Sequence, residues 1–232
     1  MTKAMERIKA LCNESVALEF ESLLSKILGW PNSAALFHSL ALAGDKQILF
    51  DHLATLRYSL IFGYLGFFVS FEPTGTKGPD LLITRDGISA TVEVTRLRPM
   101  NPGPPALNED ECQSGEWVLK PYGDPCRDIN RSFGKVLGKF KQAVAPHSII
   151  AVWNDDDALE ELEMSMAARH LWQAPDLPAG LDFVIYGSRW ISGVHLHLHT
   201  FHMKPHLDTL MQAWAQQIES VNVRAAIKYC TP

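Results

Sequence analysis

The stretch KGPDLLITRDGISATVEVTRL, residues 77–97, predicts a β-hairpin. Its two halves, DLLIT (80–84) and ISATVEVTRL (88–97), are rich in the branched apolar residues that favour strands. The Asp-Gly pair between them is the usual signal for a tight hairpin turn. The sequence therefore predicts two antiparallel strands at this point, and the rest of the chain is interpreted around them.

Two carboxylates of this hairpin are predicted to meet. Alternate side chains of a strand share a face, so Glu93 and Thr95 point to the side opposite the neighbouring valines. Asp80 opens the first strand, and the start of one hairpin strand lies near the end of its partner. Asp80 and Glu93 would then converge on one divalent cation, with the Val94 carbonyl as a further oxygen ligand, and Mg²⁺ or Mn²⁺ suits such ligands. The alternative is that both acids face solvent, because short motifs often mislead.

Hydrophobic periodicity outside the hairpin predicts an α/β order of elements. Residues 98–126 are rich in proline, glycine and acidic residues and predict a long insertion. We divide the chain into an N-terminal helical region, 1–44, and an α/β domain, 45–232, with a mixed β-sheet core flanked by helices. Helices are predicted at 3–29, 33–43, 45–64, 127–144, 156–172 and 206–221, and further strands at 67–73, 148–154, 182–188 and 190–201.

Pro79-Asp80 followed by Glu93-Val94-Thr95 resembles the motif of the PD-(D/E)xK nuclease superfamily. The preceding helix ends in Leu-Gly, and the helix DINRSFGKVLGKFKQ and the strand SIIAVW follow in the order of that family, so the resemblance covers residues 45–153. It implies a restriction-endonuclease-like fold and metal-dependent hydrolysis of phosphodiester bonds in DNA or RNA. Asp80 and Glu93 would hold Mg²⁺ or Mn²⁺.

The sequence departs from the family motif at the lysine, whose position is occupied by Thr95. In the family this lysine orients the attacking water and offsets the developing negative charge, whereas a hydroxyl group carries no positive charge. Some family members supply the lysine from the following helix, so Lys139 is the first candidate replacement, Lys135 the second and Lys77 the third. The family also implies an additional acid from the preceding helix, for which Asp51 is the candidate.

Two other functions stay open at this point. The threonine in the lysine position, the net charge of -5 and the pI of about 6.0 favour a non-catalytic regulatory protein that retains the fold and binds nucleic acid or protein. His195, His197 and His199 share one face of a strand and would bind zinc in a third interpretation. The alternative for this strand is a half-exposed face whose other side, with Leu196 and Leu198, faces the core.

The cysteines and the hydropathy pattern predict a soluble, cytoplasmic protein. The four cysteines form no Cys-x-x-Cys pair, which argues against a zinc ribbon or a redox motif. The N-terminus mixes charged and apolar residues and lacks the apolar stretch of a signal peptide, and the apolar YSLIFGYLGFFV is too short to span a bilayer. The family resemblance implies nucleic acid as the partner, whereas these patterns argue against a membrane, and a homodimer is compatible with the sequence.

Overall fold

A six-stranded mixed β-sheet with helices on both faces forms the centre of the protein, which is therefore α/β. Seven α-helices lie within the part of the chain that is described. The computed structural model describes residues 1–72, 79–98, 125–143, 145–155, 161–189 and 196–221.

The described elements follow one another in the order four helices, three strands, one helix, one strand, one helix, two strands and a final helix. The helices are α1 (Thr2–Leu11), α2 (Glu14–Lys26), α3 (Ser33–Ala41), α4 (Lys46–Tyr64), α5 (Pro125–Leu137), α6 (Glu161–Trp172) and α7 (Thr209–Glu219), with a 3₁₀ turn at Phe140–Gln142. The strands are β1 (Phe68–Phe71), β2 (Leu81–Arg85), β3 (Ile88–Leu97), β4 (Ser148–Asn154), β5 (Leu181–Arg189) and β6 (Leu196–His202).

The strands lie in the sheet in the same order as in the chain. β1, β2 and β3 are antiparallel neighbours, β3, β4 and β5 are parallel, and β6 returns antiparallel to β5. The α5 segment connects β3 to the parallel β4, as a crossover between parallel strands requires. Every residue of β4 is buried, which is typical of a parallel strand covered on both faces.

Each face of the sheet has its own hydrophobic core. The even-numbered residues of β3, such as Val92 and Val94, pack with helices α1 to α4 and α7. The odd-numbered residue Leu97 packs with α5, the 3₁₀ turn and α6, and Val136 and Phe140 belong to this second core. The N-terminal helices thus share one core with α4 and the sheet, and the two faces of β3 meet different sets of helices.

Local signals explain where the elements around the hairpin begin and end. The side chain of Asp45 accepts a hydrogen bond from the Ile48 N–H and caps α4. Gly66, with φ of 83°, follows the end of α4. The turn between β2 and β3 uses Asp86 and Gly87, both with positive φ, as the Asp-Gly signal predicts.

Two predicted helices differ most from the structure, whereas the helices predicted at 33–43 and 206–221 are present with ends that differ by up to three residues. The single helix predicted at 3–29 is wrong, because Asn13 adopts an extended conformation and its side chain caps α2 through the Val16 N–H. The helix predicted at 127–144 ends at Leu137. Beyond it the Lys139 N–H bonds to the Val136 carbonyl, three residues back, and this tighter turn leads into the 3₁₀ segment.

The predicted strands 88–97 and 148–154 are confirmed at both ends. Most of the insertion predicted at 98–126 lies outside the described residues, which include only its first residue and the first two residues of α5. Residues 156–160 and 190–195, which belong to other predicted elements, also lie outside them. Among the described residues, none of the helices combines the length and the apolar character needed to cross a membrane.

Candidate active site

The register of the hairpin sets Asp80 against Glu93. Leu81 at the start of β2 is the partner of Val92 on β3. One further step along this antiparallel register places Asp80 opposite Glu93. The Oδ2 atom of Asp80 accepts a hydrogen bond of 2.7 Å from the Val94 N–H, which extends the ladder beyond the end of β2.

The backbone of Val94 also offers an oxygen to this position. The Thr91 N–H bonds to the His147 carbonyl, and the Leu97 carbonyl accepts from Asp155, so the odd-numbered residues of β3 direct their backbone groups toward β4. The N–H and C=O of one strand residue point to the same side, and successive residues alternate. The Val94 carbonyl therefore faces the side of Asp80, where β2 has ended.

Glu93 is the buried member of the carboxylate pair, with 1% of its surface exposed. Its Oε1 atom has no hydrogen-bond partner among the described residues. Burial, reinforced by the charge of Asp80, raises the pKa of Glu93 to about 7, although Lys139 acts in the opposite direction. Burial also raises the pKa of Asp80, and Lys139 and the Val94 N–H oppose that shift. The surroundings of Glu93 thus favour the protonated form of its carboxyl group over the ionised form.

Lys139 supplies a positive charge to both carboxylates. Its Nζ atom lies 3.1 Å from Glu93 Oε2 and 3.9 Å from Asp80 Oδ2. Lys139 lies in the turn after α5, on the face of the sheet to which the odd-numbered residues of β3 point. Among the described residues, it is the cation that forms ion pairs with Asp80 and Glu93.

The other candidates for the lysine role lie elsewhere. Thr95 is half-buried on β3, two residues beyond Glu93 and on the same face. Lys135 is exposed on the last turn of α5. Lys77 lies outside the described residues. Of the three lysines that the sequence suggests, the structure brings Lys139 to the carboxylates.

Asp51 makes its ion pairs away from the carboxylate pair, although its charge also acts on Asp80. Its Oδ1 atom pairs with Arg96 at 2.9 Å and its Oδ2 atom with Arg98. Arg96 also pairs with Asp155 at 2.8 Å, and it lies on the face of β3 opposite Glu93. Both oxygens of Asp51 are therefore engaged by arginines, on the α4 side of the sheet.

His52, the next residue on α4, is a neighbour of the site that lies outside the family motif. Burial lowers the pKa of His52, while the charges of Asp80, Glu72 and Asp51 act to raise it. The imidazole is thus within electrostatic reach of Asp80. Helical periodicity suggests its burial, but the approach of α4 to the start of β2 is a tertiary contact that the pattern does not contain.

The histidine strand is described in part. His195 and the side chain of His197 lie outside the described residues, and His199 is half-buried on β6. Leu198 is buried in the core, as the alternative interpretation of this strand predicts. Within the described ranges, no cluster of three or more histidine, cysteine or carboxylate side chains is arranged to hold a metal ion.

The donor set around Glu93 nevertheless fits magnesium or manganese. Mg²⁺ in nucleotide-processing sites is held by one or two carboxylates and completes its shell with water and substrate phosphate. Asp80 and Glu93 would supply the two carboxylates, and the Val94 carbonyl would supply a neutral oxygen. The Oε1 atom of Glu93, which has no partner within the described ranges, is the observation that favours a ligand here, because buried polar atoms normally have a partner.

Comparison of the chain with protein-family models, with curated proteins and with solved structures gives no match.

Proposed function

We propose that this chain is a metal-dependent nuclease with a restriction-endonuclease-like fold, which hydrolyses phosphodiester bonds in nucleic acid. The observation that carries the proposal is the meeting of three groups from three elements: Asp80 before β2, Glu93 on β3 and the Lys139 ammonium after α5. The order α4, β1, β2, β3, α5, β4, with an antiparallel hairpin joined to a parallel strand, supports the same family.

Asp80, Glu93 and the Val94 carbonyl would hold the cation in this proposal. A divalent cation bound there supplies polarisation of a phosphoryl oxygen and lowers the pKa of a bound water. The Val94 N–H orients Asp80 by its hydrogen bond, which fixes the direction of the remaining carboxylate lone pairs. Glu93 projects from a strand packed on both faces, so its position is set by the core.

Lys139 would take the role of the family lysine. Its ammonium approaches the carboxylate pair from the turn after α5, whereas the motif lysine would extend from the position of Thr95 on β3. A donor of this kind hydrogen-bonds to a phosphate oxygen and offsets the negative charge that develops during hydrolysis. The threonine at position 95 is then compatible with catalysis, because another element supplies the charge.

Cleavage assays on purified protein test the proposal. Labelled duplex DNA, single-stranded DNA and single-stranded RNA are incubated with Mg²⁺ or Mn²⁺, with wild type, Asp80→Asn and Glu93→Gln. We expect chelator-sensitive cleavage by wild type and a loss of about 100-fold or more in both variants, since each removes a metal ligand. Asp86→Asn, an exposed acid in the turn of the same hairpin, is the matched control and should retain activity.

Cleavage that persists undiminished in both variants would contradict the proposal, because the activity would not depend on the carboxylate pair. Absence of cleavage by wild type with every substrate and both metals would instead favour the second candidate function.

The second candidate is a non-catalytic binding protein that retains the fold. Thr95 in the lysine position favours it, and so does the 3.1 Å ion pair between Lys139 and Glu93, a contact that also suits a purely structural role. In that case the Asp80, Glu93 and Lys139 contacts would stabilise the hairpin against the turn after α5. Nucleic-acid binding that is independent of divalent cations and unchanged in Glu93→Gln would support this candidate.

A further inference from the structure

The ammonium of Lys139 occupies the place at which the carboxylate pair would hold a metal ion. Its Nζ atom is 3.1 Å from Glu93 Oε2 and 3.9 Å from Asp80 Oδ2, so it faces both anions at once. We propose, on the basis of the function proposed above, that Lys139 is an internal competitor of the metal: its ammonium pairs with the two carboxylates and is displaced when a divalent cation binds.

The two cations do not fit beside each other at these distances. Mg²⁺ binds carboxylate oxygens at about 2.0–2.1 Å, much closer than the ammonium lies now. The oxygens of one carboxylate are close neighbours, so an ion on Oε1 of Glu93 would still lie near an ammonium on Oε2. Like charges at such a separation repel strongly in a partly buried site. Binding of the metal therefore requires Lys139 to withdraw.

The attachment of Lys139 permits this movement. The residue lies between the end of α5 at Leu137 and the 3₁₀ turn at Phe140–Gln142, directly after Gly138, and 24% of its side chain is exposed. A lysine side chain is a flexible four-carbon stem with a compact charge at its end. The ammonium is thus able to leave the carboxylates for solvent or for a bound phosphate while the backbone stays in place.

If Lys139 competes with the metal, its removal should change the metal affinity in the direction opposite to that expected if Lys139 only supports the carboxylates. A residue that merely organises the carboxylates would weaken metal binding when it is removed. Removal of a competing cation leaves two acidic groups without their internal counter-ion and strengthens metal binding, even though the same substitution impairs cleavage.

Manganese titrations of the full chain, followed by the paramagnetic resonance signal of free Mn²⁺, distinguish these roles. We expect Lys139→Met to bind Mn²⁺ about tenfold more tightly than wild type, because a neutral side chain of similar length no longer competes. Lys135→Met, which removes an exposed lysine one turn earlier, should bind like wild type. Equal or weaker binding by Lys139→Met would overturn the inference and leave the proposed nuclease function intact. The metal site itself would be overturned if neither wild type nor Lys139→Met binds Mn²⁺, or if Glu93→Gln leaves the binding unchanged.

A measurement on the wild-type protein avoids any effect of the variant on folding. Acetic anhydride acetylates accessible, uncharged amines, and mass spectrometry reports the rate at each lysine. We expect Mn²⁺ to increase the acetylation rate of Lys139 several-fold relative to Lys135, since the displaced side chain leaves the part-buried carboxylates and becomes more accessible to the reagent. A rate at Lys139 that is unchanged or lowered by Mn²⁺ would overturn the displacement.

Discussion

Asp80 closes the hydrogen-bond ladder of its neighbouring strand, because its Oδ2 atom accepts the Val94 N–H at 2.7 Å. The Asp80 side chain thus replaces a backbone carbonyl as the hydrogen-bond acceptor beside β3, and it also places a carboxylate next to Glu93. A loss of the proposed activity on replacement of Asp80 would therefore have two separable causes, a weakened hairpin and a missing charge.

The choice of substituent separates these causes. We expect Asp80→Ala to lower the free energy of unfolding by about 1 kcal/mol, because the Val94 N–H loses its partner. Asp80→Asn retains an acceptor oxygen and should unfold close to wild type in urea, yet both variants should lose manganese binding. Equal destabilisation of the two variants would show that the hydrogen bond to Val94 is not what the alanine removes.

The position of Lys139 leads to a prediction about rescue. Thr95 lies on the same face of β3 as Glu93, so a lysine there would project toward the carboxylate pair. We expect Lys139→Met to lower the rate of phosphodiester cleavage by about 100-fold and the double variant Thr95→Lys/Lys139→Met to recover about tenfold of that loss.

The rescue is measured as single-turnover cleavage at saturating Mn²⁺, which removes differences in metal affinity. Lys135→Met combined with Thr95→Lys is the control, and it should cleave no better than Thr95→Lys alone. Failure of the double variant to exceed Lys139→Met, with both proteins folded, would argue that the ammonium acts from the α5 turn in a way that β3 cannot reproduce.

The hairpin was predictable from the sequence because its signals are local. Strand alternation fixes the face of Glu93, the Asp-Gly turn fixes the register, and together they set Asp80 opposite Glu93. The same local rules predict the bounds of β3 and β4.

Contacts between distant elements were less predictable. The sequence suggested Asp51 as a further acid, but the structure pairs both of its oxygens with Arg96 and Arg98 across the sheet. Lys139 was predicted to lie on a continuous helix and instead lies in the turn beyond Leu137, which directs its side chain to the carboxylates. Periodicity describes which face of an element is buried, whereas these pairings depend on how elements meet.

The raised pKa of Glu93 gives the stability of the protein a defined pH dependence. The pKa is about 7 in the folded protein against an ordinary value of 4.5, so the folded state binds this proton more tightly than the unfolded state. The contribution of Glu93 to stability is then complete below pH 4.5 and is lost as the pH rises through 7.

Urea denaturation at several pH values measures this effect. We expect the free energy of unfolding of wild type, relative to Glu93→Gln, to fall by on the order of 2 kcal/mol between about pH 5 and pH 8. The comparison between the two proteins cancels the titration of the groups they share. Parallel pH profiles would mean that Glu93 titrates alike in the folded and unfolded chains.

The charge cluster on the opposite face of β3 serves stability. The side chain of Arg96 is 4% exposed and pairs with Asp51 and Asp155, whereas Arg98 is 44% exposed and also pairs with Asp51. We expect Arg96→Met to lower the free energy of unfolding by about 2 kcal/mol, because the buried charge-assisted hydrogen bonds of Arg96 to Asp51 and Asp155 are lost, while these acids keep Arg98 and Arg57 as partners. Arg98→Met should cost at most about 1 kcal/mol, since water screens an exposed pair.

The two arginines form a matched pair, because they lie two residues apart and share the carboxylate of Asp51. Urea denaturation at neutral pH compares them directly, and manganese affinity should stay close to that of wild type in both variants, since the two arginines pair with Asp51 and Asp155 rather than with Asp80 or Glu93. Equal stabilities of Arg96→Met and Arg98→Met would contradict the assignment. Tighter manganese binding in Arg96→Met with the fold intact would instead link Asp51 to the metal position, because Asp51 acts electrostatically on Asp80 and would be less compensated by arginine.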